Sequence, residues 1–337
     1  MLAEAREAPA AVARLLSENA ELCRSLGRRL RRSAPPFAVS CARGSSDVAA
    51  TFAKYLFEIR LGIVTASVGP SVRSVYAAAP KVKGALFFAI SQAGRSPDIL
   101  SLAEMARAGG AVTIAFVNDA ASPLATICEV ALPLHAWPEH SVAATKSCIC
   151  SLAAVLQLAA HWSEDAALLE ALERLPDDLA RAVELDWRTA QPLLAATGHV
   201  FVVGRGIGLA VAQEAALKLK ETCGIHAEAI SAAELMHGPL TIAAPDFPVL
   251  VFSQQDEAFQ SVADLVAVLA AREVPVIAAG PSPGGGCLSL PSDLALNPFV
   301  TPIALLQSFY PLAESVARQR GRDPDAPPHL KKVTETL

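Results

Sequence analysis

The sequence predicts an α/β protein of two tandem units, each a parallel sheet flanked by helices in three layers, and three observations lead there. Short β-branched runs alternate with runs of helical period along most of the chain, the pattern of strands joined by crossover helices. The alternation occurs twice, on either side of a long helical stretch rich in Ala and Leu. Each half opens alike, a strand running into a glycine-containing turn and a helix, at residues 39–46 and again at 203–208. A chain of 337 residues has room for two such domains.

The elements follow in order. Val12, Leu15, Leu16, Leu22, Leu26 and Leu30 recur at three- and four-residue steps, which predicts a leading helix within residues 1–36, its arginines gathered at the carboxyl end. The first unit, 37–178, takes strands at 37–41, 63–68, 86–91, 112–117 and 130–134, with helices at 48–60 and 99–108. From Val142 to about Leu194 the pattern is helical and broken near Pro176, which reads as a connector with a domain boundary near 178–187. The second unit, 187–322, takes strands at 200–203, 249–253 and 274–279, and helices at 209–221, 263–271 and 303–318. Residues 280–286, with two prolines and three consecutive glycines, read as a loop, and 323–337 as a tail.

Composition excludes several classes. With 53% hydrophobic and 18% charged residues the chain can fill large cores, so disorder is not expected. The longest apolar stretch, 149–160, is interrupted by Ser151 and Gln157 and falls short of the roughly 18 residues that a membrane span needs. Glu4, Arg6 and Glu7 stand where a secretory signal would be basic and then apolar, so a cytoplasmic location is expected. Seven scattered cysteines read as reduced core thiols. A net charge of −5 and the lack of a basic run interleaved with aromatics leave nucleic-acid binding without electrostatic support.

Two turns point at an anion. Cys41-Ala42-Arg43-Gly44-Ser45-Ser46 and Ser91-Gln92-Ala93-Gly94-Arg95-Ser96-Pro97 each join a strand to a helix start, where hydroxyls and backbone N–H groups can face a phosphate. Either serine cluster alone could merely cap its helix. Two such turns at strand carboxyl ends would converge on one crevice. Gly204-Arg205-Gly206-Ile207-Gly208 lacks the third glycine of a dinucleotide fingerprint at its proper spacing.

The second half carries Glu214, Lys218, Lys220 and Glu221 on a predicted helix, then His226, Glu228, Glu234 and His237. Helical steps place Glu214, Lys218 and Glu221 on one face. A solvated charge ladder is one reading; the Ala- and Leu-rich surroundings favour an enclosed stripe able to supply a general base. His237, before Gly238-Pro239, would project from a loop. Glu234 and His237 form a single Glu-x-x-His pair, which neither a bundle metal site nor a zinc protease would use alone, so no metal is expected.

Taken together, these residues resemble the SIS-domain sugar isomerases, and within them the isomerase half of glutamine–fructose-6-phosphate amidotransferase and its stand-alone deaminase relatives. The resemblance covers nearly the whole chain. Its specific parts are Gly44-Ser45-Ser46, Ser91-Gln92-Ala93-Gly94, Glu139 with Val142-Ala143-Ala144-Thr145-Lys146, Ala216-Leu217-Lys218-Leu219-Lys220-Glu221, His226-Ala227-Glu228, Glu234-Leu235-Met236-His237-Gly238-Pro239-Leu240 and the tail Leu330-Lys331-Lys332-Val333-Thr334. It implies two tandem SIS domains, with a phosphate cradle made by Ser46, Ser91, Gln92 and Ser96 on turns shaped by Gly44 and Ala93. Ser45 and the backbone near Val142 would touch the sugar. Ala93 stands where the family usually has Ser, and Arg95 where the amidotransferases commonly have an acidic residue. By the same resemblance Glu221 would move a proton between C1 and C2, His237 would assist ring opening, Lys332 would meet the open-chain carbonyl, and Lys218 and Glu214 would support them, without cofactor or metal. The histidine loop would reach a neighbouring subunit's site, which implies a homodimer with composite active sites.

The chain begins Met1-Leu2-Ala3 and has its first cysteine at position 23 within a predicted helix, unlike a glutaminase domain with a nucleophilic cysteine near its start. Deamination of glucosamine 6-phosphate to fructose 6-phosphate and ammonia is therefore the expectation. Galactosamine 6-phosphate or a fructosamine-type phosphate is the alternative substrate, and a non-catalytic sugar-phosphate sensor the alternative class.

Overall fold

The computed structural model describes residues 1–292 and 296–332. They form two compact units. One comprises Ala8–Glu139, Lys146–Pro176 and the residues Lys331 and Lys332; the other comprises Met1–Glu7, His140–Thr145 and Asp177–Leu330.

The unit containing the first predicted strands is a five-stranded parallel sheet of β1 (Ala38–Cys41), β2 (Thr65–Ser67), β3 (Leu86–Ser91), β4 (Val112–Val117) and β5 (Val130–Pro133), in the order β2-β1-β3-β4-β5. β1 and β3 are buried along their whole length, which explains why Leu86 to Ile90 is continuously apolar rather than alternating. Their register runs from Ala38 opposite Leu86 to Cys41 opposite Ala89, so their carboxyl ends lie side by side where the strand order reverses. The two serine-bearing turns leave the sheet at that point.

The stretch expected to be a connector is a core helix. Lys146–Ser163 is buried on nearly every side, because it packs between the helices Ser45–Leu61 and Ala20–Ser33 of its own unit. Phe57 meets both Phe88 and Trp162 edge-on with centroids 5.5 Å apart. Gly27 lets the amino-terminal helix close on it, since a Cβ there would lie 2.6 Å from the His161 carbonyl oxygen. A helix apolar all round shows no amphipathic face to read. The single leading helix is instead two, Leu2–Glu18 and Ala20–Ser33, and at the break the Asn19 amide donates to the Pro133 carbonyl at 2.7 Å.

The other unit repeats the plan with β6 (His199–Gly204), β7 (His226–Ser231), β8 (Val249–Phe252), β9 (Val276–Ala279) and β10 (Cys287–Leu290), all parallel in the order β10-β9-β8-β6-β7. β7 was not anticipated. His226 and Glu228 lie on this edge strand with exposed side chains, alternating with buried Ala227. Gly204, the last residue of β6, serves packing: a Cβ there would lie 2.4 Å from the Gly208 carbonyl oxygen. The helix expected at 209–221 is α-helical over Gly208–Lys218 and then widens into a π-helical turn, Leu219–Cys223, ended by Gly224 at φ +62°. Among the described residues no helix is long and apolar enough to cross a membrane. All seven cysteines are free thiols, and all but Cys287 are buried.

Candidate active site

The two turns at the reversal of the first sheet are built differently from simple helix caps. Gly44, not a serine, occupies the N-cap of Ser45–Leu61 at φ +54° and ψ −136°, a conformation that side chains disfavour. Ser45 and Ser46 start that helix, half-buried. In the second turn the Ser91 hydroxyl accepts the Gly94 N–H at 3.1 Å, and Gly94, at φ +62°, leaves no room for a Cβ, which would lie 2.3 Å from the Ser122 hydroxyl. Ser96 sits at the N-cap of Pro97–Ala108 but makes no side-chain capping bond. Ala93 follows Gln92 in the same turn, so only its backbone is available for polar contact.

One charged residue of these turns was passed over in the sequence. The Arg43 guanidinium forks onto the Asp98 carboxylate, with Nε at 2.8 Å, and so ties the first turn to the helix that follows the second. Asp98 is 1% exposed, whereas Arg43 is open to solvent. An arginine beside the glycine of one turn and an aspartate just after the proline of the other was the available signal. Arg95 points away to exposed Asp119 at 2.9 Å, and that hydrogen bond holds the Asp119 carboxyl below the usual carboxylate range.

Gln92 and Lys332 are brought together by Glu139. The Glu139 side chain is wholly buried, and its Oε2 accepts from Gln92 Nε2 at 2.9 Å, from Lys332 Nζ at 3.1 Å and from the Ser147 hydroxyl at 2.6 Å. Its Oε1 accepts the Ser147 N–H at 3.2 Å, in the first turn of Lys146–Ser163. Val333 and Thr334, the end of the resembling tail, lie outside the described residues.

The acid–base candidates lie in the other unit. Lys218 Nζ stands 3.5 Å from Glu214 Oε1 and donates a short hydrogen bond to Glu221 Oε2. Lys218 and Glu214 are buried, Glu214 Oε1 also accepting from the Tyr310 hydroxyl at 3.3 Å, while the Glu221 side chain is 23% exposed. The π-helical turn carries Glu221, an irregularity common at functional sites. The enclosed reading of the charged stripe therefore holds over the solvated ladder for Glu214 and Lys218. His237 ends the short helix Ala232–Met236 in an exposed turn; it is not hydrogen-bonded to Glu221, and Met236 and Ile242 beside it are exposed. Val142 donates its N–H to the Asp325 carbonyl at 3.1 Å. Among the described residues no group of three or more His, Cys, Asp or Glu side chains is arranged to hold a metal ion.

Comparison with known proteins follows the same outline. The SIS domain family matches at residues 38–161 and again at 193–281. The chain is 31% identical over 349 aligned positions to a glutamine–fructose-6-phosphate aminotransferase [isomerizing] of Thermococcus kodakarensis, covering 98% of this chain but 57% of that protein. It therefore spans little more than half the length of that relative. Among solved structures, a protein provisionally named a phosphosugar isomerase from Silicibacter pomeroyi is 42% identical, with a TM-score of 0.92 over 96% of this chain and 99% of that one. A glucosamine-6-phosphate deaminase of Thermotoga maritima shares the fold at 19% identity, with a TM-score of 0.73 over 97% of this chain and 100% of that one. Two parallel sheets of the same strand order, each matched by the same domain model, identify the chain as a member of the SIS domain family with the domain in tandem.

Proposed function

We propose that the chain is an amino-sugar phosphate isomerase that deaminates glucosamine 6-phosphate to fructose 6-phosphate and ammonia. The observation that carries this reading is Glu221, a carboxylate open enough to meet a substrate yet held by the ammonium of a buried lysine. Exchange between aldose and ketose needs a base that takes a proton from C2 and returns it to C1. Glu214 is enclosed and serves Lys218; Glu221 is the one of the pair with access. Once the ring is open, transfer of the C2 proton to C1 leaves an imine at C2, and water adds there to give the ketone and expel ammonia. The two sides balance with one water consumed and no redox change, so the reaction calls for no cofactor.

In this reading Ser46, Ser91, Gln92 and Ser96 hold the phosphate on the turns shaped by Gly44 and Ala93. Arg43, forked onto Asp98, holds the two turns together. Ser45 and the backbone near Val142 touch the sugar, Lys332 polarises the carbonyl region, and His237 assists ring opening in the site of a second copy. The exposed Met236 and Ile242 beside His237 support a homodimer that covers this loop. The location proposed is cytoplasmic, with neither nucleic acid nor membrane as partner.

The test is ammonia release by the purified chain on adding glucosamine 6-phosphate, with fructose 6-phosphate measured in the same tube. Equal yields of both products support deamination. Release only from galactosamine 6-phosphate or a fructosamine phosphate would move the substrate. Formation of glucosamine 6-phosphate from fructose 6-phosphate and glutamine, the two substrates in the Thermococcus relative's name, would replace deamination by synthesis.

A further inference from the structure

We infer that Glu139 is a positioning residue that fixes Gln92 and Lys332 together, so that the phosphate turn and the tail lysine act as one element. The inference rests on the reading above, in which those two side chains meet the substrate. A buried carboxylate is costly unless its charge is matched and its oxygens are bonded. Glu139 meets both conditions: its side chain is wholly buried, accepts hydrogen bonds from Gln92, Ser147 and Lys332, and faces the Lys332 ammonium.

A helix cap alone would not require this arrangement. The N–H and hydroxyl of Ser147 satisfy capping of Lys146–Ser163, whereas Gln92 and Lys332 come from positions 47 and 193 residues away. A carboxylate only accepts, so it also dictates which end of the Gln92 amide faces it: the nitrogen, with the carbonyl oxygen turned away. Removing the charge frees two side chains at once, one on the binding side of the reaction and one on the chemical side.

The experiment compares Glu139→Gln, Lys332→Ala and their combination in the full chain. Glu139→Gln keeps the shape and can still accept from Ser147, but it no longer matches an ammonium. The expected result is a fall in kcat together with a rise in KM, and a combined variant whose kcat/KM departs from the product of the single effects by about 2- to 150-fold. Glu139→Asp, which keeps the charge, should recover part of the loss, and Ser147→Ala should leave kcat/KM near that of the parent. A second readout needs no turnover: trypsin should cleave after Lys331 and Lys332 about 3-fold or more faster in Glu139→Gln, followed by mass spectrometry of the shortened chain.

Multiplicative effects in an active enzyme would overturn the inference, as would equal cleavage rates in parent and variant. If Glu139→Gln does not fold, a cycle of Gln92→Ala and Lys332→Ala decides, because two side chains joined through Glu139 must show coupling. If the parent releases ammonia from no amino-sugar phosphate, the proposed function falls, and the cleavage rates alone uphold or overturn the hold of Glu139 on Lys332.

Discussion

Replacing Lys218 by methionine keeps the length and apolar stem of the side chain and removes its ammonium. In the native fold that ammonium lies 3.5 Å from Glu214 and hydrogen-bonds Glu221, with side-chain exposures of 1% for Lys218, 0% for Glu214 and 23% for Glu221. Water can reach Glu221 in the variant, so the cost falls on Glu214. Breaking a buried pair by removing one partner costs about 3–5 kcal/mol. At about 2–4 °C per kcal/mol for a domain of this size, the unfolding temperature should drop by roughly 6–20 °C. The origin in charge makes a further demand. The double variant Lys218→Met, Glu214→Gln should recover most of the loss, since no charge is then left enclosed. Thermal unfolding followed by circular dichroism measures both variants. A drop below about 2 °C, or a double variant no better than the single, would refute the electrostatic account.

Four other outcomes are expected. Ser91→Ala with Ser96→Ala should mainly raise KM for the phosphorylated substrate, each lost bond to a charged group costing about 1.5–3 kcal/mol; an unchanged KM would move the cradle elsewhere. Arg43→Gln should weaken inhibition by inorganic phosphate, and undiminished inhibition would make Arg43 only a partner of Asp98. Mixing inactive Glu221→Gln with inactive His237→Ala subunits should restore activity if the site is composite, given subunit exchange shown by a tagged-chain pull-down; activity no higher than the parents' would keep His237 in its own chain or out of the mechanism. Burial pushes the thiols of Cys23, Cys41, Cys128 and Cys150 up to about 12, so a thiol reagent at about pH 8 should modify Cys287 first in the folded chain. Peptide mapping that finds one of the buried four labelled as fast would contradict this.

Local signals account for what could be read without a structure. A strand that runs into a glycine turn and a helix announces itself within ten residues, so the turns at Gly44 and Gly94 and the duplicated plan were legible. Glu214, Lys218 and Glu221 were legible because helical spacing alone puts them on one face. The same local logic failed where burial was complete: Lys146–Ser163 carries no amphipathic period because helices of its own unit surround it. β7 was hidden by its charged, outward residues, as edge strands often are.

What the sequence by itself determined, then, was the class of fold, its repetition, the two serine-bearing turns and the charged helical face, all set by patterns that span a few residues. Tertiary structure alone decided that Arg43 meets Asp98, because that pair depends on β1 lying beside β3. It alone decided that Glu139 gathers Gln92, Ser147 and Lys332, partners up to 193 positions apart that no periodicity links. Neighbours of that kind are chosen by the order of strands in a sheet and by the demand that a buried charge find its donors, wherever in the chain they come from.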